Sequence, residues 1–430
     1  MPFDLLVTRW PGPTSVCLLL VRCRLPASSK QQATTWHAQK ALLSFARICL
    51  ARVQDRCTLA IMQLPAWLKT SRIASLVVTI EFLLIGAAVN VLEIIAFVLV
   101  RPFSVHLFRR VNAFFVYLHW SVIPWLIENW CDLECRVYGD FEEARGTVHR
   151  KKAMVVLNHK GDCDWMLGFC LCDRLAALSN AKCLMKSFVK YLPPIGVQFY
   201  FSDFAFLTRS WSRDCDHLTA MAKTWSSYRS PFALCVFAEG TRYTKEKHEA
   251  NLIYARENGL PELKHLLLPR TKGFTFLMKQ LKDSIDVLYD ITIVCRGLIP
   301  SAMDILKGRK IKADFFMRKI PVEDVPIGSD EETAKWLVDL YKSKDELLEH
   351  HSQNDAFPGP ECFAPRRIYP RLIVFIWSVL MFVPFAAYTT HLIAIEAYFT
   401  LGIIAVFLLA AEAAMRLIVK VALANKPKRK

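Results

Sequence analysis

Apolar residues along this chain fall into two regimes. Near both ends they run unbroken for the length of a membrane helix; in the middle they come in short bursts between polar turns. Ile73–Val100 is 28 residues without lysine or arginine, enough helix to cross roughly 30 Å of hydrocarbon. Glu81, Asn90 and Glu93 interrupt it, and at bilayer depth each needs a partner or the interface. An aromatic-rich run, Val111–Trp130, follows Arg101, Arg109 and Arg110; its Tyr117, Trp120, Trp125 and Trp130 suit the headgroup region. The two runs read either as a spanning helix with an interfacial one or as a re-entrant pair. Toward the other end, Leu372–Tyr388 and Leu392–Leu409 predict two membrane helices joined at Thr389, Thr390 and His391.

The middle has a different rhythm. Ala153–Leu157, Phe232–Phe237 and Val287–Cys295 are short apolar runs bounded by turn residues, the pattern of buried strands. Asp164–Asp173 has helical composition, and a polar helix is expected from about Thr244 to the stop at Gly259 and Pro261. Strands alternating with helices at this spacing predict an α/β fold with a mostly parallel sheet flanked by helices. The chain then divides into a poorly defined basic extension (1–61), membrane-embedded helices (62–135), an α/β domain (136–365), and a transmembrane hairpin with a basic tail (366–430). The extension reads as a targeting segment, a disordered tail or an upstream alternative to a start at Met62.

Charge changes this picture only in its location. The net charge is +16, which suits either nucleic acid or an anionic membrane. Residues 1–61 carry +6 and residues 366–430 carry +7, which leaves +3 for everything between. A nucleic-acid binder would concentrate charge on its folded domain, so nucleic acid is set aside as a partner and the lipid bilayer is favoured. Arginines and lysines flank the C-terminal hairpin and are absent from its turn, which places both flanks in the cytosol. Lysines third and fifth from the end, in Lys426-Pro-Lys-Arg-Lys430, resemble a dilysine retrieval signal of the endoplasmic reticulum, or are a basic tail that meets anionic lipid. The 14 cysteines are scattered without CxxC spacing, which suggests neither zinc nor a disulfide framework.

Candidate chemistry sits past the first two strands, where α/β sheets place their sites. His159 with Asp164 could be a general base and the carboxylate that orients it. Five residues is a poor separation on one helix face, so a turn containing Gly161 must join them; otherwise His159 is a surface loop residue, with Asp162 and Asp164 capping a helix. In Phe237-Ala-Glu-Gly-Thr-Arg242, a glycine, backbone amides and an arginine suit a phosphate, or form an ordinary turn. Lys186, Lys190, Arg209 and Arg270 are further cations near turns. No GxSxG, Walker loop, GxGxxG or HExxH occurs, so a serine nucleophile and a metal hydrolase are both unsupported.

These clusters carry a resemblance. Asn158-His-Lys-Gly-Asp-Cys-Asp164 resembles the His-x4-Asp block of the glycerolipid acyltransferase superfamily, and Gly196 through Phe206-Leu-Thr-Arg209 is similar to its second block. Phe237-Ala-Glu-Gly-Thr-Arg242 resembles its third, and Leu268-Pro-Arg-Thr-Lys-Gly273 its fourth, all in order over about 115 residues. Lys245–Phe274, Trp336–Asp345, Phe357-Pro-Gly359 and the C-terminal hairpin resemble the gamma/delta group of 1-acylglycerol-3-phosphate acyltransferases, so the likeness covers roughly residues 65–420. Two departures, Thr208 and Ala238, bear on acceptor selectivity and remove no group the chemistry needs.

The resemblance implies the glycerolipid acyltransferase fold and acyl transfer from acyl-CoA, as co-substrate, to the sn-2 hydroxyl of lysophosphatidic acid, with no cofactor and no metal. It implies that His159 is the base and Asp164 its orienting carboxylate. Glu239, Gly240, Thr241 and Arg242 would bind the acceptor's phosphoglycerol head, with Lys186 and Arg209 assisting and Pro269 shaping the acyl-CoA side. An endoplasmic reticulum membrane protein with a cytosolic catalytic domain is expected. The alternatives are another lysophospholipid acceptor such as lysophosphatidylinositol, a lysophospholipid hydrolase, and a non-catalytic membrane scaffold.

Overall fold

The computed structural model describes residues 69–407, 409, 410 and 413; the expectations for residues 1–61 and for the dilysine-like tail lie outside them. Two helices open the described chain. Helix α1 (Arg72–Leu99) starts at Ser71, whose hydroxyl accepts the Ala74 N–H at 3.1 Å, the usual satisfaction of a free helix-end donor. Helix α2 (Val105–Trp120) starts in the same way at Ser104. A short helix (Val122–Trp125) and a π-helical turn (Leu126–Trp130) then lead into the domain.

There the aromatic run departs from its expected place at the headgroups. Trp120, Trp125 and Trp130 are buried in protein. Trp120 packs on Phe169, Phe199 and Phe204 and donates its indole N–H to Gln198 at 2.9 Å. Trp130 donates to the Leu306 carbonyl at 3.2 Å, and the Tyr117 hydroxyl donates to Asp173 at 2.9 Å. An amphipathic ring needs an apolar bed and one polar partner, and the domain supplies both.

The domain is built on a seven-stranded sheet in the order β1-β7-β6-β2-β5-β3-β4. The strands are β1 (Glu134–Gly139), β2 (Lys152–Leu157), β3 (Ala181–Lys186), β4 (Ala205–Leu207), β5 (Phe232–Phe237), β6 (Val287–Cys295) and β7 (Lys312–Ile320). Every neighbouring pair is parallel except β6 with β7, as the alternating pattern predicts. Strand β2 lies between β5 and β6, and all three are mostly buried along their length, which is why they read as unbroken apolar runs and not as alternating ones. The longer helices of the domain are α3 (Asp164–Arg174), α4 (Trp211–Ser226), α5 (Lys245–Glu257), α6 (Thr271–Leu281) and α7 (Asp330–Asn354). One core gathers Trp225, Phe232, Phe274, Leu337 and Tyr341; a second gathers Trp120, Phe169, Phe199 and Phe204 with the end of α2. Burying one such ring contributes about 1.5–3 kcal/mol.

Helix α8 (Tyr369–Ala394) moves the expected turn of the C-terminal hairpin. It runs straight through Thr389–His391 and ends only at Ile395, before a turn with Glu396 at φ 55° and a shorter apolar helix, Tyr398–Phe407. The threonine hydroxyls satisfy themselves inside the helix by donating to the Phe385 and Ala386 carbonyls, so they do not break it. Both α1 and α8 are long and apolar enough to cross a membrane. The Ser378 hydroxyl of α8 donates to Glu81 of α1, and Asn90 of α1 donates to the Pro194 carbonyl at 3.1 Å. These supply partners for two of the polar interruptions; Glu93 is fully buried. Gly86 sits where a β-carbon would lie 2.1 Å from Pro194 Cγ, so only glycine lets α1 dock here.

Candidate active site

Register brings the ends of the central strands together: Leu157 lies beside Phe237 on one side and Ile291 on the other. The Asn158 side chain extends this edge. Its amide donates to the Ile293 carbonyl at 3.0 Å and its oxygen accepts the Ile293 N–H at 2.7 Å, clamping the turn after β2 to β6.

The turn then closes the five-residue gap between His159 and Asp164. Imidazole Nδ1 stands 3.0 Å from Asp164 Oδ2, and the same oxygen accepts the Gly161 N–H at 2.8 Å. A carboxylate partner at Nδ1 puts the proton on that nitrogen and leaves Nε2 as the acceptor. Asp164 is buried, while the His159 side chain keeps 25% exposure, so the pair has a fixed inner end and an open outer one. Gly161 serves by lack of bulk: a β-carbon there would meet Ile299 Cγ2 at 2.6 Å and Asp164 Oδ1 at 3.2 Å. Thus the capping alternative is not what is seen, since Asp164 reaches back into the turn that carries the histidine.

The Glu239–Arg242 loop grips His159 from β5. The His159 N–H donates to Glu239 Oε1 at 2.9 Å, and the His159 carbonyl accepts the Tyr243 N–H at 2.8 Å. The Phe237 ring lies 4.8 Å from the imidazole, centre to centre. Glu239 is 2% exposed, and burial pushes its carboxyl up to about 8. It therefore faces inward, onto the histidine backbone, and not outward to a headgroup. Gly240 takes φ +66°, and a β-carbon on it would meet Arg270 Cδ at 2.9 Å.

Around this loop lies a set of cations. Arg209, itself at φ 65°, donates to the Gly240 carbonyl at 3.0 Å, and Arg242 pairs with Asp162. Lys247 donates to the Thr241 hydroxyl at 2.6 Å and to the Arg242 carbonyl at 3.0 Å. Burial, then Arg209 and Arg242, hold the Lys186 ammonium below its ordinary value. Burial, then Arg242, Arg209, Lys186 and Arg270, do the same for Lys247, and burial with Arg270 lowers Arg209. Cations that depress one another are held together against their repulsion, and an arriving phosphate relieves it. Lys186, Arg209, Arg242 and Arg270, all named from the sequence, thus converge. Lys247, and Asp162 as the partner of Arg242, emerge only in three dimensions. Thr241 is engaged by Lys247, so it shapes the loop. Among the described residues, Lys190 makes a side-chain ring contact with Tyr191 and does not join this cluster.

Pro269 is buried next to this loop, where the Arg270 N–H donates to the Ala238 carbonyl at 2.7 Å and the Leu268 N–H to Asn251 at 2.9 Å. Two consecutive residues of α7 hold the whole assembly from beneath. Lys344, fully buried, donates to the Val156 and Ile291 carbonyls and pairs with Asp290. Asp345 accepts the N–H groups of Lys264, His265 and Leu266 at 2.7–3.1 Å, fixing the segment that leads to Pro269. The sequence signal was a Lys-Asp pair in an otherwise amphipathic helix, whose partners lie too far away in the chain to be read.

With this geometry in hand, comparison with known proteins is direct. The Acyltransferase family matches residues 140–296, and the Acyltransferase C-terminus family matches residues 304–377. Over 327 residues, covering 75% of this chain and 85% of the relative, the sequence is 36% identical to 1-acyl-sn-glycerol-3-phosphate acyltransferase gamma of Homo sapiens. Over 342 residues, covering 79% and 90%, it is 34% identical to 1-acyl-sn-glycerol-3-phosphate acyltransferase delta of Rattus norvegicus. The residues matched by the first of these families contain strands β2 to β6, the histidine turn and the cation loop described above. The chain belongs to the acyltransferase family that includes these gamma and delta enzymes.

Proposed function

We propose that this protein transfers a fatty acyl group from acyl-CoA to the sn-2 hydroxyl of 1-acyl-glycerol-3-phosphate, giving phosphatidic acid. The observation that carries the reading is an oriented imidazole, its Nε2 open, beside a cluster of mutually depressed cations. The phosphate of the acceptor sits among Arg242, Arg209, Lys186 and Arg270, which brings its hydroxyl to His159. Nε2 takes the hydroxyl proton as the oxygen attacks the thioester carbonyl, and Asp164 steadies the imidazolium. The tetrahedral adduct then breaks its C–S bond, and the imidazolium returns the proton to the departing thiolate, giving the ester and free CoA. No acyl-enzyme forms, so no activated serine or cysteine is needed. Among nearby thiols, Cys163 and Cys295 are each pushed by burial to about 12, which keeps them protonated and unreactive.

Helices α1 and α8 hold the domain at a bilayer, where both lipid substrates reside, and we place it on the cytosolic face of the endoplasmic reticulum. Membranes containing the protein should release CoA when given lysophosphatidate and a long-chain acyl-CoA, and His159→Ala should abolish that release. Undiminished turnover in the variant would sink the mechanism. Fatty acid release without acyl-CoA would mean a hydrolase, and preference for lysophosphatidylinositol in an acceptor panel would change the acceptor.

A further inference from the structure

A cavity of about 270 Å³ opens at the C-terminal end of β6, and it shares no lining residue with the cation cluster at Arg242. Its wall includes Lys160, His265, Cys295, Arg296, His351 and Asp355. Most of this charge is already answered. Arg296 pairs with Glu134 at 2.8 Å and Asp314 at 3.1 Å, His351 with Asp314 at 2.8 Å, and His265 with Glu349 at 2.8 Å. The one acid on the wall, Asp355, lies 3.7 Å from Arg136. Lys160 differs from all of them. Among the described residues its ammonium has no hydrogen bond and no carboxylate partner at ion-pair distance; it lies near the Tyr243 ring, 5.7 Å from its centre, and feels the carboxyl groups of Glu239, Asp345 and Asp164 from farther off.

Lys160 directly follows His159 in the chain, so its cavity and the catalytic imidazole are supported by one turn. A reaction between two anionic substrates is served by two separate anion sites. The Arg242 cluster serves one. At about 270 Å³ the cavity is below the roughly 300–1,000 Å³ that engulfs a whole drug-sized ligand, but it holds a phosphoryl group with its ester arm. We propose that this cavity is a second anion site, in which Lys160 binds a phosphate of the acyl donor's nucleotide handle. The assignment of the ligand rests on acyl-CoA being the donor.

The test uses the full-length protein in lipid nanodiscs. Adenosine 3′,5′-bisphosphate, which carries phosphates of the handle without the acyl arm, should bind and compete with acyl-CoA but not with lysophosphatidate. Lys160→Met should weaken that binding roughly tenfold, the scale of one charge-assisted contact, and Lys160→Arg should recover most of it. In turnover, Lys160→Met should raise KM for acyl-CoA, leave KM for lysophosphatidate unchanged, and have no effect with an acyl-pantetheine donor, which lacks the phosphates. Equal losses with both donors, or bisphosphate binding indifferent to Lys160, would overturn the site. Inorganic phosphate binding as tightly as the bisphosphate would overturn the handle as its ligand. If acyl-CoA supports no turnover in the unaltered protein while Lys160-dependent binding persists, the donor assignment fails and the anion site stands.

Discussion

Glu239 accepts the backbone N–H of His159 at 2.9 Å, so the carboxyl of one sequence block sets the position of the histidine in another. Burial pushes that carboxyl up to about 8, from about 4.5 in an unfolded chain. The folded protein therefore binds the proton more tightly than the unfolded one. The stabilisation is complete below about pH 4.5 and is lost as the pH rises through about 8. Glu239→Gln, neutral throughout and still able to accept the N–H, should flatten this decline. Thermal unfolding of the purified protein at several pH values between about 5 and 9 checks it; a parallel decline in the variant would contradict the assignment.

Asp164 fixes the histidine tautomer through Nδ1. Replacing it with asparagine removes the charge that favours the imidazolium and allows the ring to turn. The expected loss in kcat is about 10²–10⁴-fold, with KM for lysophosphatidate changed little. A fall in KM-dependent binding with unaltered kcat would assign Asp164 to substrate recognition instead.

Arg242 and Lys247 touch the same loop in different ways. Arg242 presents its guanidinium beside Asp162, while Lys247 holds Thr241 and the Arg242 carbonyl. Arg242→Ala should raise KM for lysophosphatidate by about 10–100-fold, the value of a charge-assisted pair at roughly 1.5–3 kcal/mol. Lys247→Met should lower kcat and raise KM together, because it loosens the loop that also grips His159. Steady-state kinetics with the acceptor varied at saturating donor separates the two outcomes.

Lys344 is buried against Asp290 and two strand carbonyls. Lys344→Met leaves Asp290 buried with Arg318 as its remaining partner, at 2.6 Å. Breaking such a pair costs about 3–5 kcal/mol, and the surviving arginine argues for the lower end. Chemical denaturation in detergent should show this loss, and Asp290→Asn in the same chain should restore part of it.

The sequence made the central sheet legible because buried parallel strands are the simplest pattern a chain can carry. Phe232–Phe237 and Val287–Cys295 were bounded to the residue, and β2 missed only Lys152. Val111–Trp130 misled because tryptophan is equally at home at a lipid headgroup and beneath a helix, and only Gln198, 78 residues from Trp120, decides which. Thr389 and Thr390 misled because a hydroxyl that can cap a turn can also bond back within a helix. The site divides along the same line. His159, Asp164, Arg209 and Arg242 sit in short recognisable blocks. Asn158, Lys344 and Asp345 act across 53 to 188 residues on carbonyl and amide groups that every residue has, and nothing local marks them.

The adjacency of Lys344 and Asp345 has a geometric consequence. Successive residues on an α-helix point about 100° apart, so α7 addresses the sheet with one side chain and the segment before Pro269 with the next. The end of the central sheet and the segment before Pro269 are thereby kept in phase by the pitch of a single helix, much as a keyed shaft holds two gears. Inserting one residue into α7 ahead of Lys344 would rotate both contacts out of alignment together, and the sheet end and the Pro269 segment would be released at once.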